Sequence, residues 1–375
     1  MSKQGTNDWS RQKFLQSSTL GTTAALAAPA AVTAKKTDST TIVGSGNYRF
    51  EVLHHWPQLP EKFTWQTTHN VAVDSEGLLY VIHEGDLAQG DHPSIFVFDA
   101  AGKYVRSFGS QFQGGGHGIE VRNEGGQDFL YVCAYHQQRS FAKLDTRGKL
   151  LWRKGAPMES GIYAEGEDQY PRTKEDNPWG RNRFLPTNVA FLPDGGFFVA
   201  DGYGGYRIHR YDVDGNWVSQ FGNPADTTRA DGTFKLPHGI WIDGRGEQPL
   251  IVVADRELDR LQWFTLAGEH RQTLDGFRWP ANMDIRGDLM VVPELVARLT
   301  LLDKDNQMVA HLGTDSERIK ANQKETGGFN IRGDESQWQT GKFIHPHDAC
   351  FDADGNIFIA EWVEGGRITK LRRLY

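Results

Sequence analysis

The stretch Asn188-Val-Ala-Phe191, Pro193-Asp-Gly-Gly196, Phe197-Phe-Val-Ala-Asp-Gly-Tyr203, continued by Arg207-Ile-His-Arg-Tyr211, Asp214-Gly-Asn216 and Trp217-Val-Ser-Gln-Phe221, decides the fold. It reads as four short hydrophobic strands joined by tight turns. Asp-Gly and neighbouring glycines allow the positive φ of hairpins, and Val, Phe, Ile, Tyr and Trp suit pleated, half-buried strands. Segments of the same pattern begin at His69, His117, Thr187, His238, Ala281 and His347, which lie 48, 70, 51, 43 and 66 residues apart. A four-stranded propeller blade takes roughly 40–45 residues. The spacing therefore predicts an all-β, six-bladed β-propeller of four-stranded blades over residues 48–375, with Tyr48-Arg-Phe-Glu-Val-Leu53 completing the last blade. The two long intervals each hide an insertion, at about 155–185 and 314–344, on the face that carries the histidines. Long loops of this kind are lids over a site or surface decoration. No stretch shows the helical apolar period of a bundle.

Residues 1–34 are expected to be an export signal, with 35–47 as a linker. Lys3, Arg11 and Lys13 precede a mildly apolar run from Phe14 to Ala31, which ends in the small-residue pattern Val32-Thr-Ala34. Ser10-Arg-Gln-Lys-Phe-Leu15 is close to the twin-arginine motif, although Gln12 stands where the second arginine belongs. A periplasmic or extracellular location is expected, and a disordered tail on a cytoplasmic protein is the alternative. No other segment is apolar for long enough to span a membrane.

Removing that signal takes the net charge from −7 to −9, because Lys3, Arg11 and Lys13 outweigh Asp8. An acidic surface without a basic stripe argues against nucleic acid and anionic membranes as partners. The expected partner is a small-molecule or peptide substrate, and the expected state is a monomer. Cys133 and Cys350 both sit in strand contexts of separate repeats and read as buried thiols rather than a disulfide or metal motif.

The repeats also align chemistry. His69, His117, His238 and His347 occupy one column, each just ahead of a hydrophobic strand. Equivalent positions of a closed ring converge on its axis. Imidazole is a common ligand of zinc, and three histidines with an open position suit catalytic zinc. His117, His238 and His347 fall on alternate blades and so obey a pseudo-threefold, whereas a lone histidine at such a place would read as structural. His69 is an additional candidate ligand.

Leu236-Pro-His238-Gly-Ile240 with Val252-Val-Ala-Asp-Arg256, Gly116-His117-Gly-Ile119, Pro186-Thr-Asn-Val-Ala190 with Ala200-Asp-Gly-Tyr203, and Pro346-His347-Asp348 resemble the lyase domain of peptidylglycine α-amidating enzymes. The resemblance covers about residues 50–375, and the third repeat also resembles the broader NHL repeat. It implies zinc on His117, His238 and His347. It further implies a structural calcium held by Asp348 with the carbonyls of Val71 and Ile119, Tyr203 as the base or metal-side phenol, and Arg256 as a substrate-binding arginine. At the family's other arginine this chain has Glu84, in His83-Glu-Gly-Asp86, and Gly204 stands where the family has a disulfide cysteine. Glutamate repels the carboxylate that an arginine would clamp, so substrate recognition at position 84 is expected to differ.

Read from the residues themselves, zinc can polarise an oxygen, Tyr203 can take a proton and Arg256 can bind a carboxylate or an oxyanion. Tyr203 as a channel-wall aromatic, and Arg256 as the ion-pair partner of Asp255 or Asp259, are the bland readings. Three function classes follow. The leading one is an exported metal-dependent lyase that cleaves a C–N or C–O bond of a small hydroxylated substrate. The second is a calcium-dependent, gluconolactonase-like hydrolase using Asn188, Asn282 and Asp348. The third is a non-catalytic NHL-type binding module.

Overall fold

A computed structural model describes residues 40–375 apart from 174–176, 178 and 226–228. The expected export segment 1–34 lies outside the described residues. Six antiparallel sheets follow one another around a ring, and each runs outward in chain order from an inner strand. The inner strands of blades one to six are Thr68–Val73, Gly116–Glu124, Asn188–Phe191, Pro237–Asp243, Asp284–Arg286 and Pro346–Phe351. Blade six is closed by the N-terminal strand Arg49–Leu53, which pairs antiparallel with the C-terminal strand Arg367–Leu374 in the register Val52↔Leu371. Joining the two ends of the chain in one sheet removes two exposed edges.

Apolar residues fill every gap between neighbouring blades. Tyr80, Ile82, Ile119 and Val132 meet between blades one and two. Phe141, Phe184, Val189 and Phe197 lie between two and three, and Phe198, Ile208, Ile240 and Phe264 between three and four. Val252, Trp263, Met283 and Met290 fill the next gap. Phe50, Val291, Leu301 and Ile359 follow, and Val71, Phe96, Phe358 and Ile368 close the circle. Each such side chain contributes roughly 1.5–3 kcal/mol when fully buried. Cys133 and Cys350 are free and buried, in blades two and six.

Hairpin turns repeat one device, between the third and fourth strands of blades one, two, three and five and between the first and second strands of blade six. Asp99, Asp145, Asp212, Asp303 and Asp352 each accept two backbone N–H groups through Oδ1. In blade three the carboxylate at work is therefore Asp212 rather than the Asp214 of the Asp-Gly pair. A second repeated device sits at the end of the second strands. Asp255 and Glu294 each bind the arginine that opens the third strand, Arg260 and Arg298, at 2.8 Å, and Glu361 binds Arg367 likewise. The same three carboxylates accept N–H groups of Lys235, Arg278 and Ile344, which tie down the chain entering the inner strand of the same blade.

The insertion at 314–344 departs from expectation, because Ser316–Thr326 form an α-helix. Only Ser316 and Ile319 of that helix are buried, so no apolar stripe marks it in the sequence. It docks through Ile319 and Ile331 on Val296, Ala297, Ile344 and Val363. Among the described residues no helix is long and apolar enough to cross a membrane.

Candidate metal centre and substrate site

All four column histidines sit at breaks in strand pairing. Register skips His69 between Thr68 and Asn70, His238 between Pro237 and Gly239, and His347 between Pro346 and Asp348, while His117-Gly118 is skipped in blade two. A bulge of this type releases a residue from the alternation of the strand and re-aims its side chain. Here it turns the imidazoles to the axis. The glycines after two of them are forced by contact: a Cβ on Gly118 would lie 2.4 Å from the Thr187 carbonyl oxygen, and one on Gly239 2.4 Å from the Asn282 Cα.

Hydrogen bonds then follow a threefold rule. His117 Nδ1 donates to the carbonyl of Thr187 at 2.8 Å, His238 Nδ1 to Ala281 at 2.6 Å, and His347 Nδ1 to His69 at 2.8 Å. In each case a histidine of an even blade binds the column carbonyl of the next odd blade. A carbonyl only accepts, so each Nδ1 carries its proton and each neutral ring directs the Nε2 lone pair inward. Ring centroids of the three lie 4.7–5.0 Å apart.

The inward nitrogens are short of donors: the Tyr203 hydroxyl, 3.0 Å from His238 Nε2, can meet one of the three lone pairs. His117 Nε2 and His238 Nε2 stand 3.1 Å apart, two lone pairs facing one another. His347 Nε2 is buried without a hydrogen-bond partner among the described residues. Protonation does not resolve this, because burial holds His117, His238 and His347 well below the ordinary histidine pKa. A tetrahedral ion with bonds of about 2.0–2.1 Å keeps its ligand nitrogens about 3.3–3.4 Å apart. The residues thus fit a metal ion in donor type, tautomer and spacing.

His69 is built differently. Its Nε2 donates to Glu84 Oε2 at 3.3 Å, and its Nδ1 has no hydrogen-bond partner among the described residues. Candidate ligand nitrogens of His69, His117 and His347 also lie within 4.8 Å of one another. Two triads therefore overlap, and we take His117, His238 and His347 as the primary one because they share a single tautomer and partner rule. His69 presents its Nδ1 beside them.

Tyr203 and Arg256 come to the same place. The Tyr203 hydroxyl lies 3.0 Å from His238 Nε2 and accepts from Arg256 at 3.1 Å. Burial raises the Tyr203 pKa above the ordinary phenol value, and Arg256 opposes that rise. Arg256 pairs with neither Asp255, which is taken by Arg260, nor Asp259, which accepts from the Trp279 N–H. Its Nε and second terminal nitrogen are buried with no hydrogen-bond partner among the described residues. A buried guanidinium with two idle donors is arranged for an anion.

Glu84, in the position of the missing arginine, is engaged by histidines. It binds His69 at 3.3 Å and His136 Nδ1 at 3.2 Å. Sequence reading overlooked His136 and its neighbour Tyr135, whose ring packs on His117, Tyr203 and His69 at 4.9, 5.3 and 5.7 Å. The signal was present: Glu84, Tyr135, Arg256 and Trp362 each follow the second strand of a blade, as Tyr203 does one residue later. Both insertions also reach the site. Trp179 lies edge-on to Tyr203 at 6.0 Å and to His136 at 5.2 Å.

One residue further along the inner strands the channel changes character. Asp348 accepts from the Val71 N–H at 2.9 Å and from Asn282 Nδ2 at 2.6 Å, and Asn188 donates to Glu120. It is thus the N–H of Val71, and not its carbonyl, that meets Asp348, while Ile119 lies buried in the core between blades one and two. A cavity of about 290 Å³ is lined by Val71, Glu120, Trp241, Asp284 and Asp348. Burial pushes Asp348 and Asp284 up to about 7. The oxygens of Asn70 and Asn282 are buried without partners among the described residues. This is a hard-oxygen environment short of positive charge, which fits calcium better than zinc.

No family profile matches the chain. It is 26% identical over 297 residues to a protein of Caenorhabditis elegans named a probable peptidyl-α-hydroxyglycine α-amidating lyase, with 77% of this chain and 73% of that one aligned. It is 28% identical over 276 residues to peptidyl-α-hydroxyglycine α-amidating lyase 1 of Drosophila melanogaster, which covers 70% of this chain but 45% of that longer protein. The fold is similar to that of virginiamycin B lyase from Staphylococcus aureus, with a TM-score of 0.52 and 11% identity over 87% of this chain and all of that one. In sequence and architecture the chain is an NHL-like six-bladed propeller resembling the peptidyl-α-hydroxyglycine α-amidating lyases.

Proposed function

We propose that the chain is an exported, zinc-dependent lyase that cleaves the C–N bond of a carbinolamide, a small substrate with a hydroxyl and an acylated nitrogen on one carbon. The observation that carries this reading is the set of three Nδ1-to-carbonyl bonds, which leaves three buried Nε2 lone pairs converging beside Tyr203 and Arg256. His117, His238 and His347 would hold the ion, with His69 as an additional ligand. Bound there, zinc supplies Lewis acidity toward a substrate oxygen. Tyr203, ionised beside the bound metal and Arg256, would accept the hydroxyl proton and return it to the leaving nitrogen. The carbon–nitrogen electron pair departs with that nitrogen and the carbon becomes a carbonyl, so the step balances without a co-reactant. Arg256 holds the phenol oxygen with one donor and has two left for a substrate carboxylate or a developing oxyanion.

Around this site we place a structural calcium at Asp348 near Val71 and Ile119, a monomeric state, and a periplasmic or extracellular location reached through the signal at 1–34. Elemental analysis of the mature protein tests the core of the reading, alongside a variant carrying His117→Ala, His238→Ala and His347→Ala. About one zinc per chain, absent from the variant, is the expected result. Calcium alone would favour the second reading, a lactonase-like hydrolase built on the Asn188, Asn282 and Asp348 oxygens. A folded protein with no metal would leave a binding module.

A further inference from the structure

Arg332 belongs to the short 3-10 turn Asn330–Gly333 of the second insertion, outside the four-stranded repeats. Its guanidinium lies over the Trp362 ring at 3.5 Å, and one terminal nitrogen donates to Thr67 Oγ1 at 3.0 Å. Its Nε is buried without a hydrogen-bond partner, and among the described residues the side chain joins no ion pair with a carboxylate. The backbone carbonyl of Thr67 accepts from the Glu84 N–H, which puts the guanidinium at the rim of blade one. Arg256 rises from blade four, diametrically across a six-bladed ring. Tyr135, of blade two, packs its ring on His117, Tyr203 and His69 beside the axis.

Glu84 and Glu364 both lie within electrostatic reach of Arg332, yet neither has a hydrogen bond to its guanidinium among the described residues. Glu84 turns to His69 and His136. A half-buried arginine held over a buried tryptophan loses rotamer freedom before any ligand arrives, and its guanidinium donors form a planar fork. Such a group binds carboxylate better than a mobile lysine does.

We propose that Arg332 is a specificity-determining residue that binds the carboxylate of the substrate at the rim opposite Arg256, so that the insertion supplies the cation absent from position 84. This rests on the lyase reading and narrows its substrate to carbinolamides that carry a free carboxylate. The competing role is a latch that holds the insertion on Thr67 and Trp362.

Calorimetric binding of N-benzoylglycine and of its primary amide to the purified mature protein separates the two, with thermal midpoints measured in parallel. Wild type is expected to bind the acid at least about tenfold more tightly than the amide, the scale of one charge-assisted bidentate contact. Arg332→Ala should bring the two within about threefold, with amide binding and thermal midpoint unchanged, and Arg332→Lys should keep part of the preference. Equal weakening of acid and amide with a lowered midpoint would mean a latch and overturn the proposal. So would an acid preference that survives in Arg332→Ala, or a wild type with no preference. A wild type that prefers the acid through Arg332 yet cleaves no hydroxyglycine peptide would sustain this inference while removing the lyase reading.

Discussion

His347 and Asp348 are consecutive residues, and they line two layers of one channel with opposite chemistry. The upper layer is nitrogen: imidazoles whose tautomers are set by carbonyls of the neighbouring blade. The lower layer is oxygen: Asp348, Glu120, Asn188, Asn282 and Asp284 around a cavity on the same axis. Simple strand alternation would send one of two adjacent side chains away from the channel. The bulge at each histidine is what allows both to face it. The difference teaches that a single closed ring can present a layer of nitrogen donors and a layer of oxygen donors, separated by one step along the strand.

The comparison breaks most completely if the upper layer is not a metal site. His238→Ala should take zinc from about one per chain to near zero and abolish turnover while the far-ultraviolet circular dichroism stays native, because the ring faces the channel and no inter-blade core. Loss of the β signal would show the histidine to be structural. Tyr203→Phe removes the proton acceptor without removing a ligand. It should lower kcat about 10²–10⁴-fold at unchanged zinc content, and a variant within threefold of wild type would exclude the phenol from the chemistry.

The lower layer makes the opposite pattern. Asp348→Asn should retain zinc but lose calcium-dependent protection against heat. That protection is worth about 2.7 kcal/mol when the ion is present at a hundred times its Kd. Zinc loss in this variant would mean the layers are one site. The smallest effect is expected at Glu84, which bridges the upper layer and the rim. Glu84→Gln keeps a hydrogen-bond acceptor and removes a negative charge, so KM for a carboxylate substrate should fall about two- to fivefold, the reach of roughly 0.4–1 kcal/mol. Glu84→Arg pushes in the same direction but gives up the bonds to His69 and His136, and a gain in turnover there would show that those bonds matter little to catalysis.

The oxygen layer was half legible in the sequence. Asn188, Asn282 and Asp348 stand in register one residue after the column, and so could be read from the repeats. Glu120 and Asp284 lie further along their strands and read as ordinary strand polar residues until ring closure brings both to the wall of one cavity. Tyr135, His136 and Trp362 were missed for another reason: the column after the second strand holds a different residue type in every blade, and only its position repeats.

Repeat period, blade number, the closing N-terminal strand and the four-histidine column were determined by the sequence alone. They depend on local patterns of turn residues and alternating hydrophobics, which recur at a spacing that needs no knowledge of the rest of the chain. Tertiary structure decided which imidazole nitrogen faces the axis, because that is set by carbonyls 43 to 278 residues away. It also decided that Arg256 has no carboxylate hydrogen-bonded to it among the described residues, that Glu84 binds His69 and His136, and that a helix-bearing insertion carries Arg332 to the rim. Each of these is a contact between segments that meet only when the ring closes, and no local pattern encodes such a meeting.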